Sequence, residues 1–336
     1  MAIPKSYKNN VVEGKGILIF SIVFTLLIRV LYYFNVEQLF IPVTGVDGYL
    51  WDYIAPWVKS PLIAILGSCL LTAGLAFLAA HINTKYVLIR RRTLLPAAIM
   101  ILVSNTNSAF ILISPEHICG LMFFYVIAIL FASYNTPDKQ IYAFRSSFIL
   151  ALGSLFTPSM FIYIPLLWIY LGIMRSFNFR AFLASILSIV VIYVPVFSLF
   201  YFFGSVDDFT RPFILLQSVP FGELPFLNFT TFDWVVFVFS TALLVIILID
   251  NYIHRHKDKI KIRMYLLLLD FIIISAATLF IFVNMNVLLN LYIILTAGAL
   301  LLAHYFALAE QKATVLLFYA SLILLVAVSF LPFLSM

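Results

Sequence analysis

The sequence predicts an all-α, polytopic transmembrane helix bundle, and three observations predict it. Hydrophobic residues make up 64% of the 336 positions and charged residues only 10%, against about half and a quarter in soluble domains. The mean hydropathy is +1.12. Several unbroken apolar runs are long enough to cross the roughly 30 Å hydrocarbon core as helices. This composition excludes a water-soluble enzyme, a disordered chain and a nucleic-acid-binding module.

The apolar runs predict about 11 spans. One further apolar stretch, residues 146–173, is interrupted at Thr157-Pro158 and again at Pro165. We expect it to form a short broken pair, 146–156 and 158–173, whose turn is buried in protein, because non-helical backbone inside a membrane must be shielded from lipid. The clear runs lie at 17–34, 61–81, 94–112, 118–133, 181–203, 234–250, 264–283, 287–306 and 313–334.

The distribution of basic residues predicts the orientation, since Lys and Arg concentrate in cytoplasmic loops. A cytoplasmic N-terminus and a divided 146–173 place the C-terminus outside and most of the 20 basic residues inside. An undivided 146–173 would instead put the basic cluster at 254–263 outside. The 17 basic residues expected inside are Lys5, Lys8, Lys15, Lys85, Arg90, Arg91, Arg92, Lys139, Arg145, Arg175, Arg180, Arg255, Lys257, Lys259, Lys261, Arg263 and Lys312.

The same reasoning divides the chain into three parts. Residues 1–16 are expected to form a cytoplasmic tail, 17–215 a membrane core with an external loop at 35–60, and 216–336 a set of C-terminal membrane helices. The first apolar run is followed by large aromatic residues rather than by a small-residue cleavage site, so we expect it to remain as an anchor. The predicted location is a cell membrane, crossed many times.

Acidic residues collect on the predicted external side. The loop 35–60 mixes them with aromatic residues, which is typical of a partly helical segment at the membrane interface. Asp47-Gly48 has the form of a turn that would direct a carboxyl group away from such a helix. The alternative is that these acids are solvated loop residues. The eight acidic residues on this side are Glu37, Asp47, Asp52, Glu116, Asp207, Asp208, Glu223 and Asp233.

Ser114-Pro115-Glu116-His117 forms a very short external connection. Its first three residues have the pattern of a helix start, with Ser114 as N-cap, Pro115 at the first helical position and Glu116 beside the positive end of the helix dipole. That pattern leaves His117 unexplained, and a Glu-His pair can also exchange protons or bind a cation.

Two further polar features lie within predicted spans. Arg29 lies in the first span, where intramembrane charge marks a functional site by default. It is expected either to extend to phosphate headgroups or to pair with an external acid. The run 104–108, of sequence SNTNS, is expected to face the bundle interior and to serve helix packing.

The order of these features resembles the membrane core of the GT-C superfamily of glycosyltransferases, which use polyprenyl-phosphate-linked sugars. A first span leads to an external loop with an Asp, then come a second span, a basic loop and a tight span pair with an acid at its outer turn. The broken pair FILALGSLFTPSMFIYIPLLWIYLGIMR and the span FRAFLASILSIVVIYVPVFSLFYFFG follow. The resemblance covers about residues 15–215. The run also looks like an uncharacterised family of bacterial polytopic inner-membrane proteins, which implies a bacterial inner membrane.

The resemblance to the GT-C superfamily implies a set of site residues. Asp47, with Asp52 second, matches the Asp that serves as base or metal ligand, and Glu116 matches the second acidic position. Basic groups near the outer face would bind the lipid phosphate. The residues implied for that role are Arg29, Lys59, His117 and Arg211.

The implied partners are membrane lipid and a polyprenyl-phosphate sugar, with a divalent cation left open as a cofactor. The sequence departs from the family in having Asp47-Gly48 where many members have two adjacent acids, and Thr157 where a Lys is common. We also expect no soluble external domain after the bundle. Two alternatives therefore stand beside the transferase. One is a non-catalytic subunit or scaffold of an envelope-assembly complex, bound to a membrane protein partner through the spans after residue 234. The other is a lipid or solute transporter, which the broken helices suit.

Overall fold

The computed structural model describes residues 7–35, 48–217, 231–254, 258–282, 286–309 and 311–334, and within them the chain is helical without strands. Eight of these helices are long and apolar enough to cross a membrane, so the protein is a polytopic membrane protein. After a π-helical turn at Lys8–Val12, the helices are α1 Gly16–Phe34, α2 Tyr49–Val58, α3 Pro61–Tyr86, α4 Leu95–Val103, α5 Ser108–Ile111, α6 Pro115–Ala132, α7 Lys139–Ser154, a 3₁₀-helix Pro158–Ile162, α8 Tyr163–Ile173, α9 Phe179–Phe203, α10 Val206–Gln217, α11 Thr231–His254, α12 Ile260–Phe282, α13 Val287–Ala307 and α14 Lys312–Leu334.

Helices α4, α6 and α13 form the centre of the bundle. Every residue of α4 is buried. In both α6 and α13, 67% of the 18-residue stretch that is apolar enough to cross a membrane is buried. The corresponding share is only 17% in α9 and α11, which therefore lie at the periphery. Helix α13 packs against α4 and α6, so residues on both sides of position 215 share one core. Polar side chains on α6 and α13 are consequently shielded from lipid.

The helix break expected at Thr157-Pro158 is present. Helix α7 ends at Ser154, and Thr157 is extended, with φ −141° and ψ 110°, because the proline ring disfavours helical backbone at the preceding residue. Thr157 and Pro158 are both buried, as expected. The first half of the pair begins earlier than predicted, at Lys139, because polar residues before 146 continue the helix toward the basic loop.

The apolar run 94–112 is not one continuous helix, contrary to expectation. Helix α4 ends at Val103, and the polar run after it turns the chain before α5 begins. Side chains of this run bond to nearby backbone and so compete with the helical pattern. Asn105 Nδ2 donates to the carbonyl of Ile101 at 2.8 Å, and Asn107 Oδ1 accepts from the amide of Ala109 at 2.9 Å. Asn105 also donates to Thr25 of α1 at 2.7 Å, so the run does serve helix packing.

Long-range hydrogen bonds identify the two ends of the bundle. At one, which we call the basic end, Arg90 bonds Asp258 and Arg91 donates to the carbonyl of Ala307. The π-helical turn belongs to this end too, since the Tyr7 hydroxyl donates to the carbonyl of Phe306 at 2.9 Å. The opposite end, called here the Glu116 end, holds the starts of α3, α6 and α13 and the break after α7.

Candidate functional site

Arg29 is buried inside the bundle, with only 3% of its surface exposed. Its Nη1 donates to the carbonyl of Ile65 at 3.1 Å and to the hydroxyl of Ser68, and its Nη2 donates to the hydroxyl of Thr72 at 3.0 Å. All of these acceptors are uncharged and belong to α3. Arg29 therefore neither extends to the headgroup region nor forms an ion pair with an acid of the described chain, and its positive charge stays inside the protein.

Glu116 is also buried and is held by the start of another helix. Its Oε1 accepts a hydrogen bond of 3.0 Å from Nδ2 of Asn286. The same Asn286 caps α13, because its Oδ1 accepts from the amide of Leu289 at 3.0 Å. Ser114 caps α6 as predicted, accepting from the amide of His117 at 3.3 Å. The positive ends of two helix dipoles thus lie beside Glu116.

His117 is completely buried and stacks on Tyr292 of α13. The two ring centroids are 4.9 Å apart and the ring planes differ by 28°. Gly120, one turn along α6, allows this approach, because a Cβ there would lie 3.2 Å from the Cβ of Tyr292. Small residues permit close helix contact in membranes, and here the small residue brings two polar rings together.

Arg29, Glu116, His117 and Tyr292 form what we call the buried polar cluster. Arg29 interacts electrostatically with both His117 and Tyr292, and Glu116 interacts with Tyr292. Within the described chain, five buried atoms of this cluster lack a well-aligned hydrogen-bond partner: Arg29 Nε, Glu116 Oε2, both ring nitrogens of His117, whose ring has only a looser contact with the backbone of Leu112, and the Tyr292 hydroxyl. Buried polar groups in proteins are nearly always paired, so this concentration of unpaired donors and acceptors indicates a place where a polar ligand or water belongs.

The start of α2 contacts the broken pair. The amides of Gly48 and Leu50 each donate at 2.9 Å, to the carbonyls of Phe156 and Leu155. Only glycine fits at position 48, since an added Cβ would overlap the backbone of Leu155. The break lies next to the buried polar cluster, because the buried side chain of Thr157 contacts the thiol of Cys119 on α6. The preceding residue, Asp47, lies outside the described residues.

Helix α2 is anchored on α10. Tyr49 stacks on Phe209 of α10, with ring centroids 5.9 Å apart, and its hydroxyl donates to the carbonyl of Phe209. Burial raises the pKa of the Tyr49 hydroxyl above its ordinary value. Trp51 is buried as well, so these two aromatic side chains pack into protein, whereas Tyr53 and Trp57 on the same helix are exposed.

The structure brings together three of the residues that the sequence singles out and separates three others. Arg29, Glu116 and His117 meet in the buried polar cluster. Asp52, Lys59 and Arg211 are exposed at the surface of the described chain. Their predicted roles at the site would require a ligand that extends from the cluster to the surface.

Tyr292 and Asn286 are members of the site that the sequence reasoning missed. Both lie about 170 residues along the chain from the Glu-His pair that they contact. Asn286 carried a readable signal, since Asn immediately before an apolar run is a common N-cap. No local signal marks Tyr292, because one Tyr among apolar residues has the pattern of an ordinary core position.

Among the residues that the structure describes, no three His, Cys, Asp or Glu side chains lie close enough to hold a metal ion. The buried polar cluster brings together one arginine, one carboxyl group, one imidazole and one phenol, which are groups that form hydrogen bonds with polar ligands. A comparison with protein-family models found no matching family, and a search of curated proteins found no matching relative.

Proposed function

We propose that this protein is a membrane-embedded transferase that takes a sugar from a polyprenyl-phosphate carrier, with the buried polar cluster at its reaction centre. The observation that carries the proposal is the set of unpaired polar atoms on Arg29, Glu116, His117 and Tyr292. An unpaired buried donor or acceptor costs about 1–3 kcal/mol. A cluster of them inside an apolar bundle is explained if a polar ligand completes it during function.

The cluster suits a lipid-linked phosphate on electrostatic grounds. Arg29 is held by three neutral acceptors, so its charge is uncompensated by any acid that it contacts in the described chain. The dipoles of α6 and α13 add positive potential beside it. A phosphate is the group that such an environment stabilises, and more strongly so in a site that excludes water.

The proposed reaction uses the cluster in two roles. A carboxylate takes the proton from an acceptor hydroxyl, and the acceptor oxygen attacks the anomeric carbon. The bond from that carbon to the phosphate oxygen breaks, and its electron pair leaves with that oxygen on the polyprenyl phosphate. Arg29, aided by His117, stabilises the departing phosphate. Asp47 and Glu116 are the proposed carboxyl groups. Gly48 supports Asp47 in this role, because its amide bonds to the break beside the cluster.

Native mass spectrometry of the protein, gently extracted from its own membrane, tests the proposal. We expect a retained polyprenyl-phosphate or its sugar adduct in the wild type, lost in Arg29→Gln and retained in Arg180→Gln, an exposed arginine far along the chain from the cluster. Tyr292→Phe perturbs the cluster less than Arg29→Gln does, since it removes only one hydroxyl, which has no hydrogen-bond partner in the described part of the chain. Asp47→Asn should keep the lipid but abolish transfer. Retention of bulk phospholipid alone by the wild type would overturn the proposal.

A second candidate function, a scaffold in an envelope-assembly complex, is favoured by the exposure of α11. Only 17% of its 18-residue apolar stretch, Phe237–His254, is buried, and Val238 is 58% exposed. A photoreactive residue at Val238 should then form one discrete protein adduct, while the equally exposed Leu66 on α3 (60%) should form none. Lipid adducts alone at both positions would eliminate the scaffold.

A further inference from the structure

A groove of about 560 Å³ lies on the side of the bundle, between α3, α6 and α7. It is separate from the buried polar cluster, since no residue of that cluster lines it and most of its lining residues come from the halves of these helices nearer the basic end. The groove combines three basic or titratable side chains, His81, Lys85 and Arg145, with apolar ones that include Leu78, Phe148 and Ile149. Its volume falls within the roughly 300–1,000 Å³ of typical ligand sites.

Polarity changes along the groove. Helix α3 ends at Tyr86, at the basic end. Lys85 therefore lies at the mouth, whereas Leu78 lies seven residues earlier, about 10 Å deeper at 1.5 Å per residue. Helix α7 runs in the opposite direction along the chain, so that Phe148 and Ile149 lie about one turn deeper than Arg145. A ligand that fits this gradient has a polar head at the mouth and an apolar tail along the bundle.

The charge at the mouth is not neutralised by the protein. No lining residue is acidic, and neither Lys85 nor Arg145 has an ion-pair partner within the described ranges. Lys85 Nζ lies 5.5 Å from the centre of the Tyr86 ring, a contact that leaves its charge in place. His81, Lys85 and Arg145 are all exposed. Two cations beside an apolar groove are complementary to an anionic headgroup that carries hydrocarbon.

We propose that this groove binds one anionic phospholipid from the surrounding bilayer. Its phosphate contacts Lys85 and Arg145, with His81 beside them, and one acyl chain lies along Leu78 and Phe148. Free phosphate would use the cations and leave the apolar half of the groove unfilled, so the lipid is the better match. Each cation near an anionic headgroup contributes about a fivefold gain in affinity.

Native mass spectrometry of the full chain, equilibrated with equal amounts of phosphatidylglycerol and phosphatidylcholine in mixed micelles, tests the proposal. The wild type should retain one phosphatidylglycerol with about 25-fold preference, the product of two fivefold contributions. Lys85→Gln/Arg145→Gln should lose most of this preference. The matched control is Arg92→Gln/Arg180→Gln, which removes the same charge from exposed arginines outside the groove and should keep it. Equal preference in the two double variants would overturn the proposal.

A second variant separates lipid from free phosphate. Leu78→Trp fills the apolar half of the groove and leaves both cations in place, so it should abolish retention of the lipid. Unchanged lipid retention by folded Leu78→Trp would overturn the assignment of the acyl chain to the groove. Displacement of the lipid from the wild type by millimolar inorganic phosphate would also overturn this assignment. Such displacement would show that the lipid is bound through its headgroup charge alone, without a contribution from the acyl chain.

Discussion

Asn286 is the residue whose replacement most directly tests the geometry of the buried polar cluster. Its side chain makes two bonds at once, one that caps α13 and one of 3.0 Å to Glu116. Asn286→Ala removes both. Loss of an N-cap costs about 1 kcal/mol, and leaving a buried acceptor without its donor costs about 1–3 kcal/mol. We therefore expect the free energy of unfolding to fall by about 2–4 kcal/mol.

The chain offers a matched control for the capping contribution. Asn178 caps α9 in the same way, accepting from the amide of Ala181 at 2.7 Å, and its side chain makes no second bond in the described structure. Asn178→Ala should therefore cost about 1 kcal/mol. Asn286→Ser keeps a capping oxygen but loses the donor to Glu116, so it should cost about 1 kcal/mol less than Asn286→Ala.

The measurement is the free energy of unfolding in mixed micelles, by titration with a denaturing detergent and a fluorescence readout from the native tryptophans. The single variant Glu116→Ala and the double variant Asn286→Ala/Glu116→Ala complete a thermodynamic cycle and isolate the interaction between the two side chains. If Asn286→Ala and Asn178→Ala destabilise equally, the bond to Glu116 contributes nothing and the reasoning about the cluster is refuted.

Three other predictions follow from single contacts. Gly48→Ala should loosen the start of α2 from the broken pair and increase proteolysis near α2, because the added Cβ would overlap backbone. Gly172→Ala is the control and should leave proteolysis unchanged, since nothing lies within 4 Å of the added Cβ. Equal cleavage of the two variants would contradict this prediction. Tyr292→Phe should leave the free energy of unfolding unchanged or raise it, since the Tyr292 hydroxyl has no partner in the described chain. Tyr163→Phe should lower the free energy of unfolding by about 1 kcal/mol through loss of a buried hydrogen bond. A larger loss of stability in Tyr292→Phe than in Tyr163→Phe would refute the conclusion that the Tyr292 hydroxyl is unpaired. Asp258→Asn should lower the free energy of unfolding by about 1–2 kcal/mol, because the Asp258 carboxylate is 8% exposed and lies 2.8 Å from Arg90, whose charge it would no longer balance. If this variant is as stable as the wild type at low salt, the ion pair contributes nothing.

Features that depend on neighbouring residues were predictable. The helix break at Thr157-Pro158 follows from proline sterics, and the cap at Ser114 follows from the need of the first turn for an acceptor. The run 94–112 was mispredicted for a related reason. Average hydropathy treats it as one span, although Ser104 and Asn105 begin a sequence whose side chains bond to the backbone and end the helix.

The contacts of the site required the tertiary structure. The first span, α6 and α13 are apolar over most of their surfaces, so the sequence did not indicate which sides of these helices face one another. The approach of Tyr292 to His117 depends on Gly120, a single small residue whose effect is felt only when two helices are packed. The exposure of Lys59 and Arg211 is likewise a property of the assembled bundle.

By itself, the sequence determined that this chain is a polytopic helical membrane protein with a broken helix pair and an acid-histidine pair at one helix start. These are consequences of apolar run length, proline and capping, which act over one or two turns. Only the tertiary structure decided that Arg29, Glu116, His117 and Tyr292 share one buried cluster and that Asn286 holds Glu116. The physical reason is that side chains far apart in the chain meet through helix packing, and packing depends on the shapes of all the helices together.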